Sequence, residues 1–152
     1  MQQMSEYVTS FRDTENVYYL SKYGRDRVDS QVIRKKTLQA RHYLMRNDVY
    51  IAEGLPVEWK NEMKLEVKGK VKVVADAVFK RSGTLHIVEV DHTQLMSQNR
   101  LKIEKYKKLL SLNVFKSPPV FVWITTTEYR RKQLTKLLQG TQHKIYTVDD
   151  LR

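Results

Sequence analysis

Between Val73 and Asp91 the chain reads V-V-A-D-A-V-F-K-R-S-G-T-L-H-I-V-E-V-D, two strongly apolar runs around a short turn with carboxylates set inside them. A carboxylate in a core strand is costly to desolvate unless a cation, a proton or a metal compensates it. Ser82-Gly83 has the composition of a two-residue hairpin loop, which pairs Arg81 with Thr84. Counting back puts Val78 opposite Ile87, Asp76 opposite Glu89 and Val74 opposite Asp91. Directly opposed residues have Cβ atoms about 5 Å apart. Glu89 and Asp91 share a face because strand side chains repeat every two residues. With that loop three carboxylates converge, whereas a three-residue loop would split Asp76 from Glu89; a hard divalent ion such as Mg²⁺ or Mn²⁺ would relieve the repulsion. Two other arrangements relieve it as well: neighbouring lysines, or strand ends open to water.

The surrounding pattern places this hairpin in an α/β domain. Ser30–Arg46 has a roughly helical spacing of apolar residues, with Asn47-Asp48 as its expected end. From Val57 to Lys68 the alternation is strict, with Val57, Trp59, Met63, Leu65 and Val67 on one face and acids and lysines on the other. Val71–Lys80 and Thr84–Asp91 follow as strands, then a helix from about Thr93 to Leu112. Val120–Thr126 is a fully apolar strand, Glu128–Leu138 a basic helix ended by Gly140, and His143–Val148 a last strand. The order of helix, three-strand meander, helix, strand, helix, strand predicts a mixed central sheet. Residues 1–28 stand apart: Glu6–Arg12 and Val17–Leu20 read as an aromatic hairpin ahead of a main domain over residues 29–152.

The helix after the acidic strand adds a cation. Projected at 100° per residue, Leu95, Met96, Ile103, Tyr106, Leu109 and Leu110 form one apolar arc, with Lys102 inside it and Lys105 at its edge. A lysine there either reaches the carboxylates or packs its stem and carries its ammonium to the rim. In a hydrolytic site such a lysine orients water or neutralises charge developing on phosphorus.

The chain carries 28 Lys and Arg against 17 Asp and Glu, a net charge of +11. Residues 1–29 sum to −1, so the remainder holds +12. A surplus of that size on a small domain fits nucleic acid, and less specifically an acidic protein or anionic lipid. Arg130, Arg131 and Lys132 on the basic helix are candidate nucleic-acid contacts. The absence of cysteine excludes a disulfide framework, a cysteine nucleophile and thiolate-bound zinc, and points to a reducing, cytoplasmic setting. No apolar run reaches the length of about 18 residues needed to span a membrane, and no leader is recognisable. Gly-rich phosphate loops, Ser-His-Asp order and zinc-ligand spacing are missing.

Acid on one strand (Ala75-Asp76), Glu89-Val90-Asp91 on the next and L-K-I-E-K-Y on the helix resemble the PD-(D/E)XK, or restriction-endonuclease-like, nuclease superfamily. Within it the chain is similar to the replication-relaxation family of plasmids and mobile elements, through Trp59–Glu62, Asp76–Phe79, Glu89–Asp91 and Lys102–Tyr106. V-Y-Y-L-S-K-Y-G-R-D-R-V is similar to the end of a winged-helix wing, here without a preceding recognition helix. The resemblance implies a DNA-acting, metal-dependent phosphodiesterase working with replication or mobilisation proteins. Asp76, Glu89 and Asp91 would then be catalytic metal ligands, with Lys102 the catalytic cation and Glu62, Lys105 and Tyr106 an outer ring. Two departures stand out: Ala75 replaces the usual proline, and Asp91 stands where the superfamily has its lysine. Either Lys102 supplies the missing cation from the helix, or the chain keeps the fold as a non-catalytic DNA-binding or adaptor module.

Overall fold

A computed structural model describes residues 27–152, with side chains described from residue 35 onward. The hairpin expected over residues 6–20 lies outside the described residues. The elements run α1 (Arg27–Ala52), β1 (Lys60–Val67), β2 (Val71–Arg81), β3 (Thr84–Val90), α2 (Met96–Ser111), β4 (Val120–Thr125), α3 (Glu128–Leu137) and β5 (Gln142–Thr147), closed by a short 3₁₀ turn, Val148–Leu151. They form the expected mixed α/β order. The five strands lie in the order β1-β2-β3-β4-β5, antiparallel through the first three and parallel through the last three. The sheet and the layers covering it fall within the compact unit Met45–Arg152. Among the described residues, no helix is long and apolar enough to cross a membrane.

Each face of the sheet carries its own core. On one face Ile103, Tyr106 and Leu109 of α2, with Leu134 and Leu138 at α3, pack on Val73, Ala75, Val78, Ile87, Phe121 and Trp123. On the other, Met45 and Val49 of α1 pack on Ala77, Phe79, Val88, Val90, Val122 and Ile124. Strands β3 and β4 are apolar on both sides because both sides are covered.

Helix α1 does not stop at Asn47-Asp48 as the sequence pattern suggests, because Val49, fully buried, still packs on the sheet. It ends where Gly54 takes a φ of +85°. The Leu55 N–H then reaches the Tyr50 carbonyl at 3.0 Å and the Gly54 N–H the Ile51 carbonyl at 3.0 Å. This paired closure satisfies the last helical carbonyls and needs a left-handed residue, which glycine supplies without strain.

The β2–β3 turn matches its sequence. Ser82 and Gly83 have φ of 53° and 80°, and Arg81 pairs with Thr84, then Val78 with Ile87. Positive φ at both loop residues gives the twist that matches flanking strands.

The strict alternation expected along Val57–Val67 fails at one place. Trp59 packs in the second core, whereas Met63, Leu65 and Val67 pack in the first. Val57 is 99% exposed and lies outside the strand. On β2 the odd-numbered residues likewise change sides, Val73 and Ala75 facing the first core and Ala77 and Phe79 the second. Both strands invert together where Glu62, at φ 53°, stands level with Asp76, between the pairs Asn61↔Ala77 and Met63↔Ala75. A left-handed residue turns the chain enough to transfer the following side chains to the opposite face.

Candidate functional site

The inversion on β2 sets the position of Asp76. The β2–β3 ladder ends at Ala77↔Val88, one pair short of the expected Asp76↔Glu89. Beyond it the Asp76 carboxylate accepts the Val90 N–H through Oδ2 at 2.7 Å, replacing a backbone acceptor. The Asp91 N–H turns the other way, to the Ile124 carbonyl on β4 at 2.8 Å, so Val74 and Asp91 are not cross-strand partners. Asp76 and Glu89 remain near enough for their charges to interact, whereas Asp91 turns to other partners. Asp76 also touches α1, where the buried Arg46 donates to its backbone carbonyl at 3.4 Å.

Glu89 lies 1% exposed on the face covered by α2. The Tyr106 hydroxyl donates to its Oε2, and the Lys102 ammonium approaches its Oε1 at 2.6 Å. The lysine and the Tyr106 hydroxyl thus take one oxygen each of the carboxyl group. Both helical residues come from the inward arc read from the sequence, at i and i+4 on one side of α2. Burial, and after it the nearby Asp76 charge, push the Glu89 carboxyl up to about 8, against the opposing pull of Lys102 and Tyr106. Burial likewise raises the Tyr106 phenol well above its ordinary value, followed by the proximity of Glu89.

Asp91 has a different environment. It is fully buried, and both of its oxygens are engaged. Arg130 grips it as a fork, Nε to Oδ2 at 2.7 Å and Nη2 to Oδ1 at 2.8 Å. Thr125 donates to Oδ2 at 2.7 Å and Asn99 to Oδ1 at 3.0 Å. Arg130 also donates to the Gln94 carbonyl at 2.7 Å, which ties the β3–α2 connection to α3. This is a structural knot between β3, β4, α2 and α3. With every acceptor direction in use, Asp91 fits a metal ligand poorly, which leaves Asp76 and Glu89, each with partners of its own, as the candidate acids. Among the described residues no three His, Asp or Glu side chains gather closely enough to share a metal ion. An ion held here would take two protein carboxylates and complete its shell with water and substrate oxygens, a common arrangement for Mg²⁺.

The remaining candidates fall outside this centre. Glu62 and Lys105 are exposed. Arg130 is committed to Asp91, and Arg131 donates to Glu128 at 2.5 Å and to Asp150 at 2.7 Å. Those carboxylates raise the Arg131 pKa, the hydrogen bond to Glu128 being the largest cause. Of the three basic residues singled out on α3, only Lys132 is fully exposed.

The sequence pattern gave no sign of a third buried acid, Glu53, which is 6% exposed just past the end of α1. Arg81 donates to its Oε1 at 2.9 Å, and Lys144 and Tyr146 donate to its Oε2 at 3.0 Å and 2.5 Å. Burial works to raise its pKa, but the hydrogen bonds from Tyr146, Lys144 and Arg81 prevail and hold it below the ordinary glutamate value. A lone glutamate before a helix-ending glycine carries no periodic signature, so only the fold could reveal it.

Comparison with known proteins finds no family model that matches the chain and no curated protein that matches it. The functional argument therefore rests on the geometry.

Proposed function

We propose that this protein is a metal-dependent phosphodiesterase acting on DNA, in the setting of replication or mobilisation that the sequence resemblance implies. The observation that carries the proposal is the approach of Lys102 Nζ to Oε1 of buried Glu89 at 2.6 Å, beside the Asp76 charge. Asp76 and Glu89 are the residues that would hold Mg²⁺ or Mn²⁺. A bound ion would supply Lewis-acid stabilisation of phosphoryl charge and lower the pKa of an attacking water. Lys102, at 23% side-chain exposure, supplies a cation at the rim that neutralises phosphate charge. Tyr106 fixes the rotamer of Glu89, and the Asp91–Arg130 knot fixes the strand end that presents it.

A second reading draws on the near-complete burial of Glu89 and on Asp91 standing where the resembled superfamily has lysine. In that reading the chain binds DNA without cutting it. The two are separated by incubating supercoiled and single-stranded DNA with wild type, Asp76→Ala and Lys102→Met in Mg²⁺ and Mn²⁺. Cleavage that Asp76→Ala abolishes supports the phosphodiesterase. Salt-sensitive binding with no cleavage in either metal, or cleavage indifferent to Asp76→Ala, sinks it.

A further inference from the structure

Among the described residues six cations are held in short ion pairs, while many exposed lysines, such as Lys68, Lys70, Lys72, Lys80 and Lys136, are in none. Arg81, Lys102, Arg130, Arg131, Lys144 and Arg152 each meet a carboxylate at 3.1 Å or less. Arg100, Lys105, Lys107 and Lys108, all exposed on α2, have no carboxylate within ion-pair distance among the described residues. Their helix contributes a single acid, Glu104, to the same face. Projected at 100° per residue, Arg100 and Lys107 lie nearly in line, Glu104 and Lys108 beside them, and Lys105 on the flank nearest Lys102. At 1.5 Å per residue, the four cations extend over about 12 Å of helix. Only Lys105, about 60° from Lys102, borders the Asp76–Glu89–Lys102 centre, while Arg100 and Lys107 face away from it.

A purely solvated helical face would gain from interleaved acids at i and i+4, and this face has only one. Four cations stand against one acid on this face and are spread along the helix, which suits an extended polyanion better than a compact anion. We infer that the outer face of α2 is a contact surface for the DNA sugar-phosphate backbone, with Lys105 at its edge nearest Lys102. This role rests on the DNA reading above but not on cleavage. It also transfers the backbone contacts from Arg130 and Arg131, which the fold uses internally, to α2.

The test is binding of a fluorescein-labelled duplex and a labelled single strand by anisotropy across a salt series, without added metal. Wild type is compared with a fourfold Arg100/Lys105/Lys107/Lys108→Gln variant, and with Lys68/Lys70/Lys72→Gln on the exposed β1–β2 hairpin. Gln has helix propensity close to that of Lys and Arg, so circular dichroism and Tm should stay near wild type. Each lost phosphate contact lowers the slope of log K against log salt by about 0.9 for duplex DNA. The α2 variant should therefore lose up to about 3.6 in slope and at least tenfold in affinity near 0.1 M salt, with the hairpin variant losing little. Glu104→Gln should tighten binding, a gain that impaired folding cannot mimic. Equal or greater loss in the hairpin variant, no effect of Glu104→Gln, or no DNA binding at low salt would overturn the inference. Binding that follows α2 with no cleavage in any metal leaves it standing and removes only the phosphodiesterase.

Discussion

The carboxylate of Asp76 accepts the backbone N–H of Val90 at 2.7 Å, at the point where the β2–β3 ladder stops. One side chain thus closes the open end of the hairpin and places a negative charge next to Glu89. Asp76→Ala should remove both roles, leaving a backbone donor unpaired at a cost of about 1–3 kcal/mol. Asp76→Asn keeps an acceptor and should cost less, while weakening Mn²⁺ binding as much as alanine does. Urea midpoints and calorimetric titration of metal read the two effects separately.

Glu89 predicts an alkaline loss of stability. Its folded-state pKa, about 8, lies above the ordinary 4.5 because the buried carboxyl is favoured as the neutral acid. The contribution is fully present below pH 4.5 and disappears as pH rises towards 8. Within that window wild type should lose up to about 1.4 kcal/mol per pH unit relative to Glu89→Gln. Parallel urea titrations from acid to alkaline pH measure the difference. Metal binding, which needs the ionised carboxylate, should tighten with pH up to about 8 and then level off.

The Asp91–Arg130 pair should behave as a buried pair. Arg130→Ala leaves a buried carboxylate with only Thr125 and Asn99 as side-chain donors, and should cost about 3–5 kcal/mol. Arg130→Lys retains charge but loses the fork, giving an intermediate loss. Arg131→Ala breaks more exposed pairs with Glu128 and Asp150 and should cost about 1 kcal/mol or less. Chemical denaturation of the three variants tests the ranking.

Glu53 should govern the acid side of the stability profile. Its pKa is held below 4.5, so its stabilisation is present above that pH and is lost as pH falls through the depressed value. Glu53→Ala should lower the urea midpoint most at neutral pH, with the gap to wild type closing in acid. Tyr146→Phe removes one of its donors and should cost about 1 kcal/mol.

Much of this arrangement can be read locally. Ser82-Gly83 defines the turn, and the turn defines the register as far as Ala77↔Val88. The apolar arc of α2 turns Lys102 and Tyr106 inward, and Glu89 lies where they meet it. Strict alternation along β1 was misleading because it carries no mark of the left-handed residue at Glu62, which transfers the remaining side chains to the other core.

From sequence alone come the α/β order, the hairpin register and the pairing of an acidic strand with a lysine-bearing helix, because turn chemistry and side-chain periodicity act over a few residues. Tertiary structure alone decided which cation meets which acid. Arg130 reaches Asp91 across 39 positions, and Lys144 reaches Glu53 across 91. Such partners are set by crossover connections and by the packing of helices on opposite faces of the sheet. Periodicity shows which way a side chain points but not what it meets, so only the fold separates the acid bound in a structural knot, Asp91, from Glu89, which meets Lys102 and Tyr106 of α2.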